Sequence, residues 1–194
     1  MDYALYLITS LTAAEAAKEF RQLIGPSYIP PKWAFLPYLY SEFMKAALED
    51  APYFRPLAFD YPTDPDAREV EDQLLLGEGL MIAPIYTQNA HGRTVYLPEP
   101  MKLLRLRSSR DYDEEILPAG RHYLACGLDE VLLFLRPGHT VPVAQPAANT
   151  ALLDDTALTF WRFAPDGQPV PYRMYTDDGV TTDTDKPGHW RIVG

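Results

Sequence analysis

Apolar and polar residues alternate in two different ways along the chain, and the change falls near residue 52. In segments 12–24 and 36–50, apolar side chains recur at helical spacing, which predicts two amphipathic helices. Segment 3–8 and the short segment 32–35 are strand-like by composition. The second helix has a broad apolar stripe formed by Leu36, Leu39, Tyr40, Phe43, Met44, Ala47 and Leu48.

From Pro52 onward, short apolar runs are separated by turns rich in Pro, Gly, Asn and Asp. Recurrent turn signals of this kind are typical of an antiparallel β-sandwich, so the fold class is mainly β with a few helices. Segment 64–76 is predicted to be a helical interruption, and segment 144–155 a seam between two β modules. The strands Val131–Leu135 and 140–143 are expected to pair. The predicted strands lie in segments 54–62, 79–86, 93–98, 102–107, 122–127, 131–144, 157–163 and 171–179.

Composition and charge narrow the range of partners. The 194 residues include 27 acidic and 17 basic side chains, for a net charge of -10, without a cluster of Lys or Arg. We therefore expect binding to neither nucleic acid nor anionic membrane. Cys126 is the single cysteine, so neither an internal disulfide nor a cysteine zinc site is expected. The first residues lack the pattern of a secretory signal and no apolar run reaches the ~18 residues of a membrane span, which predicts a cytoplasmic protein.

Neither a metal site nor a cofactor is predicted from the residue pattern. The histidines are scattered through turns and strand ends, at His91, His122, His139 and His189. Acidic residues cluster in the tail, at Asp177, Asp178, Asp183 and Asp185. This cluster lacks the order Asp-x-Asp-x-Asp-Gly of a calcium loop, so a solvated hairpin is favoured. Gly77 and Gly79 lack the spacing of a phosphate loop and are predicted to form a turn.

The residue pattern also yields no catalytic residue. Glycosidase chemistry requires two carboxyl groups on facing walls of a cleft, and no feature of the sequence places two candidates in that way. The candidate carboxyl groups are those of Asp60, Glu114, Glu115 and Asp178. The candidate serine nucleophiles do not lie in a nucleophile-elbow pattern. They are Ser27, Ser41, Ser108 and Ser109. Trp161 and Tyr175 are candidate platforms for sugar rings, although aromatic residues in strands more often belong to a core.

The order of seven motifs is more informative than any single residue. The motifs are IGPSYIPPKWAF, LPYLYSEFMKAAL, FRPLAFDYP, EDQLLLGEGLMIAPIY, VYLP, LFLRPGHTVPVA and YTDDG. Taken in this order, they resemble the successive landmarks of glycoside hydrolase family 31, particularly of bacterial α-glucosidases. The resemblance covers nearly the whole chain.

The resemblance implies that most of a catalytic barrel is missing between Phe35 and Leu36. In that family a (β/α)8 barrel, which takes about 250 residues, stands between an N-terminal β domain and two C-terminal β-sandwich domains. Residues 33–35 then resemble the first barrel strand, and residues 36–50 the last barrel helix. The implied division is 1–51 for the remnant of the N-terminal domain and barrel, 52–145 for a proximal β-sandwich and 146–194 for a partial distal β module.

The resemblance also implies an activity for which this chain lacks the parts. The family hydrolyses terminal α-linked glucose with retention, using an aspartate nucleophile and an aspartate acid/base, and neither segment occurs in this sequence. Whether the chain is an enzyme is left open: an inactive fragment or internal-deletion form is expected, and a non-catalytic carbohydrate-binding or assembly module is the alternative. α-Glucoside oligosaccharides are the implied ligands, with no cofactor. Residues 33–48, having lost their barrel neighbours, are expected to drive self-association.

Overall fold

The computed structural model describes residues 34–107, 111–127, 130–145, 147, 152–168, 170–180 and 187–194. The chain divides into two compact units, Met1–Pro30 and Pro31–Gly194, and every described residue belongs to the second. The strand predicted at 3–8, the helix predicted at 12–24 and residue Trp33 lie outside the described residues. The architecture is therefore that of the second unit.

The first described element is helix α1, Leu36–Glu49, which confirms the second predicted helix. A proline in its first turn is compatible with a helix because the N–H that proline lacks has no intrahelical partner there. The helix ends at Asp50, whose φ of 55° is left-handed. Ala34 and Phe35 form a turn, so the predicted strand is wrong at these two positions. The turn is held because the Ala34 carbonyl accepts a hydrogen bond of 2.8 Å from the Ala144 N–H.

Most of the described chain is antiparallel β structure, which confirms the predicted fold class. The strands are β1 (Phe54–Pro56), β2 (Leu74–Leu76), β3 (Leu80–Ile82), β4 (Gly92–Leu97), β5 (Met101–Leu106), β6 (Tyr112–Leu117), β7 (Gly120–Ala125), β8 (Val131–Leu135), β9 (His139–Ala144), β10 (Leu158–Phe163), β11 (Tyr172–Tyr175) and β12 (Trp190–Val193). The short helices are α2 (Leu57–Asp60), α3 (Pro65–Arg68) and a 3-10 turn (Pro187–His189). No helix among these described elements has the length and apolar character needed to cross a membrane.

A six-stranded sheet in the order β1-β2-β3-β8-β5-β6 forms the centre of this unit. The pairs β4–β7, β9–β10 and β11–β12 form separate two-stranded sheets. Strand β5 is buried on both faces of the central sheet. Leu103 and Leu104 are both fully buried although they point to opposite faces. The central strands are apolar on both faces because both faces are covered.

The two faces of the central sheet bury different kinds of residue. The aliphatic core lies on the side of β4, β7, α2 and α3, and it contains Leu57, Ala67, Leu75, Met81, Ala83, Val95, Leu97, Met101, Leu103, Leu117, Leu124, Leu132 and Phe134. The aromatic core lies on the side of α1, β9, β10 and β11, and it contains Ala34, Phe35, Tyr38, Leu76, Leu80, Leu104, Leu106, Leu135, Val141, Val143, Trp161, Phe163, Tyr172 and Met174.

Segment 64–76 is not one helix, so the predicted helical interruption is too long. Helix α3 forms a single turn that begins after Asp64, whose side chain accepts hydrogen bonds from two backbone N–H groups, and it ends at Arg68. Residues 74–76 are instead strand β2, which is paired with β1 on one side and β3 on the other. Sheet pairing therefore decides the structure at the end of this segment.

Strands β8 and β9 do not pair with each other, contrary to the prediction. Strand β8 pairs with β3 and β5, whereas β9 pairs with β10. A turn at Pro137 and Gly138 separates them, and Gly138 has a φ of +75°, which favours glycine. At this turn the chain passes from the central sheet to the β9–β10 sheet. The Gly138 N–H holds the turn against β10 by donating a 2.8 Å hydrogen bond to the Phe163 carbonyl.

Besides β2, the strands β6 and β12 were not predicted. Strand β6 is an edge strand that carries three consecutive acidic residues and is largely exposed, so it lacks an apolar run. Strand β12 follows the 3-10 turn and pairs with β11. Both strands form because a neighbouring strand offers its backbone hydrogen bonds.

Candidate functional site

The candidate carboxylates are engaged in structural contacts or stand on the surface. Asp60 accepts hydrogen bonds from Arg55 at 2.8 and 3.0 Å and from Arg136 at 2.9 Å. Burial raises the pKa of Asp60, but the hydrogen bonds and charges of the two guanidinium groups outweigh burial, and the pKa lies below its ordinary value. Glu114 pairs with Lys102 at 2.9 Å on β5 and β6. These are the contacts of ion pairs within the sandwich, not of two acids that share a substrate.

The candidate histidines lie in separate places. His122 lies 2.8 Å from the Pro118 carbonyl, and His189 Nδ1 lies 2.8 Å from the Tyr175 hydroxyl. No group of three or more His, Cys, Asp or Glu side chains within the described ranges is arranged to hold a metal ion. Gly77 and Gly79 form the predicted turn between β2 and β3. The candidates that lie outside the described residues are Ser27, Ser108, Ser109, Asp183 and Asp185.

Trp161 and Tyr175 are not platforms for sugar rings. The two residues are only 4% and 1% exposed, and both lie in the packed interior. The Trp161 ring packs against Phe35 and Tyr112 at centroid distances of 5.0 and 4.9 Å. A sugar would have to displace these rings, so the stacking hypothesis is wrong for both residues.

A network of buried polar residues lies where α1 meets the β sheets. Glu42 is buried, and one of its carboxylate oxygens accepts hydrogen bonds from Lys45 Nζ at 2.7 Å and from the Tyr172 hydroxyl at 2.6 Å. The other oxygen accepts a hydrogen bond of 3.3 Å from the Glu78 backbone N–H. The carboxylate thus joins α1, β11 and the turn between β2 and β3.

The turn between β2 and β3 is shaped to receive this carboxylate. Gly77 has a φ of +59°, and a Cβ atom there would stand 2.3 Å from Glu42 Oε2. Tyr38 supports the same turn, because its hydroxyl donates to the Leu76 carbonyl at 2.7 Å and accepts from the Gly79 N–H at 2.9 Å. Glycine is required at residue 77 both by the backbone conformation and by the approach of Glu42.

Helix α1 therefore turns a partly polar face inward, and the predicted apolar stripe does not coincide with the buried face. Its buried residues are Pro37, Tyr38, Ser41, Glu42, Met44 and Lys45. Ser41 Oγ accepts a 2.9 Å hydrogen bond from the Tyr175 N–H, which fixes α1 on β11. Phe43 of the apolar stripe is 54% exposed. The polar side chains are buried because each finds a partner on the sheets.

Burial controls the ionisation of the tyrosines at this junction. Burial, and then the charge of Glu42, raise the pKa of Tyr38 and of Tyr172. Both hydroxyl groups therefore remain protonated at neutral pH and act as hydrogen-bond donors. Glu42 and Lys45 are spaced three residues apart, as in a common helical ion pair, which is a signal present in the sequence. Tyr172 is 130 residues away from Glu42, so no local pattern could have indicated its role.

A second polar network surrounds Arg136, directly after β8. Its guanidinium donates to Asp60 at 2.9 Å, to Glu99 at 3.2 Å and to the Glu78 carbonyl at 3.0 Å. It also donates to the Tyr61 hydroxyl at 3.0 Å. The network joins the end of β8 to residues 60 and 61, and it pairs the Arg136 charge with carboxylates.

The turn 77–79, α1 and the start of β9 enclose two adjoining cavities of about 220 and 400 Å³. Lys45, Glu78 and His139 line both cavities. We call the combined space the junction cleft. The combined volume lies within the range of small-molecule sites, and the lining is more polar than in most of them.

Comparison with known proteins defines the class. Residues 50–141 match the family model described as the glycosyl hydrolase family 31 C-terminal domain. The match spans β1 to β9, so it includes the whole central sheet. The fold and the match therefore identify this segment as an antiparallel β region of the glycoside hydrolase class.

Several relatives extend the match beyond these residues. An α-glucosidase of Bacillus thermoamyloliquefaciens is 29% identical over 167 residues, which are 85% of this chain and 20% of that protein. An α-xylosidase of Xanthomonas citri has a solved structure with 28% identity and a TM-score of 0.63, over 77% of this chain and 16% of that one. A mutant dextranase of Flavobacterium johnsoniae, solved with isomaltotriose, shares the fold with 24% identity and a TM-score of 0.62, over 85% of this chain and 19% of that one.

The chain belongs to glycoside hydrolase family 31. It is α-glucosidase-like, and it spans about a fifth of the length of the relatives it matches.

Proposed function

We propose that this chain is a β region of an α-glucosidase-like enzyme and does not hydrolyse glycosides by itself. In the complete enzymes, retaining hydrolysis requires a nucleophile and an acid/base about 5 to 5.5 Å apart. The observation that carries the proposal is the match of residues 50–141 to the C-terminal domain of the family. Asp60, a candidate carboxylate within that segment, is held by two guanidinium groups that lower its pKa. A carboxylate held in this way is a poor proton donor.

Release of p-nitrophenol from an α-glucoside tests this proposal. The purified chain is expected to give no turnover above a buffer control. The matched control is the Asp60→Asn variant, which should be indistinguishable from the unchanged chain because Asp60 has no catalytic role. Turnover by the chain that survives removal of host enzymes, and that falls in Asp60→Asn, would contradict the proposal.

The internal deletion between Phe35 and Leu36 is part of the same proposal. It is supported by the direct passage from the turn at residues 34 and 35 into α1, with no connecting loop. Mass spectrometry of proteolytic peptides from the protein as its source makes it tests the deletion. A peptide that joins Phe35 directly to Leu36 is expected, and peptides that continue from Phe35 into a barrel sequence would refute the deletion.

We also propose α-glucoside oligosaccharides as the ligands of the parent enzyme and the cytoplasm as its location. The similarity to an α-glucosidase supports the ligand class, and the solved complex of the dextranase is consistent with it. The single cysteine supports a reducing compartment. Cell fractionation with an antibody against the chain tests the location, and recovery outside the cytoplasmic fraction would refute it.

Self-association through residues 33–48 remains part of the proposal. Its support is an exposed aromatic cluster, in which Phe43 packs edge-on against Tyr53 at 6.2 Å and Tyr53 against Phe54 at 4.7 Å. Phe43 and Phe54 are 54% and 49% exposed. Sedimentation velocity should show a dimer that Phe43→Ser weakens and that Phe59→Ser, an exposed aromatic outside this cluster, leaves unchanged. A monomer at all concentrations would refute self-association.

The division into 1–51, 52–145 and 146–194 is likewise proposed. We propose that α1 and the described parts of the second and third segments unfold together, because α1 contacts β9 of the second segment and β11 of the third. Limited proteolysis should then release no stable fragment beginning near Pro52. A resistant fragment that begins there would show that the second segment folds without α1.

A further inference from the structure

The junction cleft contains a titratable side chain whose ring nitrogens are not used by the fold. His139 lies at the start of β9 and lines both cavities of the cleft. Among the described residues, its ring makes no hydrogen bond. Burial, and then the charge of Arg136, lower the pKa of His139 below its ordinary value, so the ring is neutral near pH 7. A neutral imidazole offers one donor and one acceptor to a ligand.

The charges of the cleft are balanced in both cavities. The smaller cavity is lined by two cationic and two anionic side chains, which are Lys45, Arg173, Glu49 and Glu78. The larger cavity is lined by three of each sign, which are Lys45, Arg55, Arg136, Glu42, Asp60 and Glu78. These side chains are engaged with one another in ion pairs. An ionic ligand would have to break one of these pairs, whereas a neutral ligand would leave them intact.

The cleft also has non-polar walls. Val170 and Pro171 line the smaller cavity, and Ala51 and Pro52 line the larger one. Such walls suit the C–H faces of a ring whose edges carry hydroxyl groups. Hydroxyl groups both donate and accept hydrogen bonds, so they can use His139 and the exposed edge of the Glu78 carboxylate, whose side chain is 61% exposed.

We propose that the junction cleft binds a neutral polyhydroxylated ligand, a hexose unit of an α-glucoside, through His139 and Glu78. Because this site lies between α1 and the β sheets, binding there requires no hydrolysis and no self-association. The choice of an α-glucoside rests on the proposed function, whereas binding at the cleft is measured separately from the glycosidase assay.

Maltose is the probe, and NMR of the full chain is the measurement. The His139 ring signals and the amide signals of Glu78 and Gly79 should shift together and saturate, with half-saturation on the order of millimolar. His139→Leu removes both polar ring atoms and should weaken the maltose-dependent amide shifts at least about fivefold. His139→Gln keeps a donor and an acceptor and should retain part of the binding.

The matched control is His122→Leu, which removes a half-buried histidine outside the cleft and should leave maltose binding unchanged. Glu78→Ala provides a second test if His139→Leu unfolds the chain. The Glu78 side chain is largely exposed while its backbone makes the structural contacts, so this variant should fold and bind maltose more weakly.

Three results would overturn the proposal. One is the absence of saturable shifts at the cleft with maltose. Another is equal shifts in His139→Leu and the unchanged chain, which would place the ligand elsewhere. The third is a stronger response of the same signals to inorganic phosphate than to maltose, which would show that the cleft selects an anion.

Discussion

The aliphatic core and the aromatic core lie on opposite faces of one sheet, yet they are held in different ways. In the aliphatic core, strands and short helices bury mostly Leu, with some Met and Ala, and Phe134 is the one aromatic side chain among the described residues that is fully buried there. The aromatic core adjoins Ser41, Glu42 and Lys45, which are buried with hydrogen-bond partners. Apolar burial is non-directional and tolerates many arrangements, whereas a buried ion pair requires each partner in place. We therefore expect the stability of the aromatic core beside α1 to depend on charge and pH, and the stability of the aliphatic core to depend on side-chain volume.

The largest effect is expected from Phe134→Ala in the aliphatic core. Phe134 is fully buried in β8, and its truncation should lower the free energy of unfolding by about 4 kcal/mol through lost burial and the cavity left behind. Urea denaturation measures the change. The loss should be the same at low and high salt, and a strong salt dependence would contradict a purely apolar role.

A somewhat smaller effect is expected from Glu42→Ala at the helix junction. This change leaves Lys45 buried without its nearest carboxylate, at a cost of about 3 kcal/mol in the free energy of unfolding. The double variant Glu42→Leu/Lys45→Met removes both charges and should recover most of the loss in the same urea titration. If the double variant is less stable than Glu42→Ala, the ion pair is not what the junction requires.

Tyr172→Phe should cost about 1 kcal/mol, because the Glu42 carboxylate loses one hydrogen-bond donor. The matched control is Tyr112→Phe, which removes a hydroxyl from another tyrosine packed against the aromatic core and lies on the edge strand β6. Thermal unfolding should separate the two variants. Equal melting temperatures would show that the hydrogen bond to Glu42 contributes nothing.

The smallest expected effect is a pH dependence that originates at His139. Its pKa in the folded chain lies below 6.5, the ordinary value for a histidine. Below that pH the unfolded chain binds the proton more readily, so stability is greatest above pH 6.5 and falls as the pH drops toward the folded pKa. The charged groups that act on His139 are Arg136, Glu78, Glu99 and Glu42.

His139→Gln tests this dependence by urea denaturation at several values between roughly pH 8 and pH 5. The variant should lose less stability toward acid pH than the unchanged chain does, while His122→Gln should follow the unchanged chain. Parallel curves for all three proteins would assign the acid sensitivity to other groups.

The fold class was predictable because its signals are local. The apolar runs at residues 80–82, 93–97 and 131–135 lie between turn-forming residues, and all three became strands. Helix α1 was recognisable from its periodicity for the same reason. Strand β6 was not, because an exposed edge strand of acidic residues carries no apolar signal. The pairing of β8 and β9 was also predicted wrongly, because adjacency in the sequence says little about which sheet a strand joins.

The sequence by itself determined that this chain is mainly antiparallel β and that its motifs follow the order of family 31. The tertiary structure alone decided which face of α1 is buried. Ser41, Glu42 and Lys45 are polar, and a pattern of hydropathy assigns them to solvent, but Tyr172 and Tyr175 supply hydrogen-bonding groups from more than 100 residues away. Burial of a polar group depends on whether a partner is present in space, and this long-range information is not contained in local periodicity.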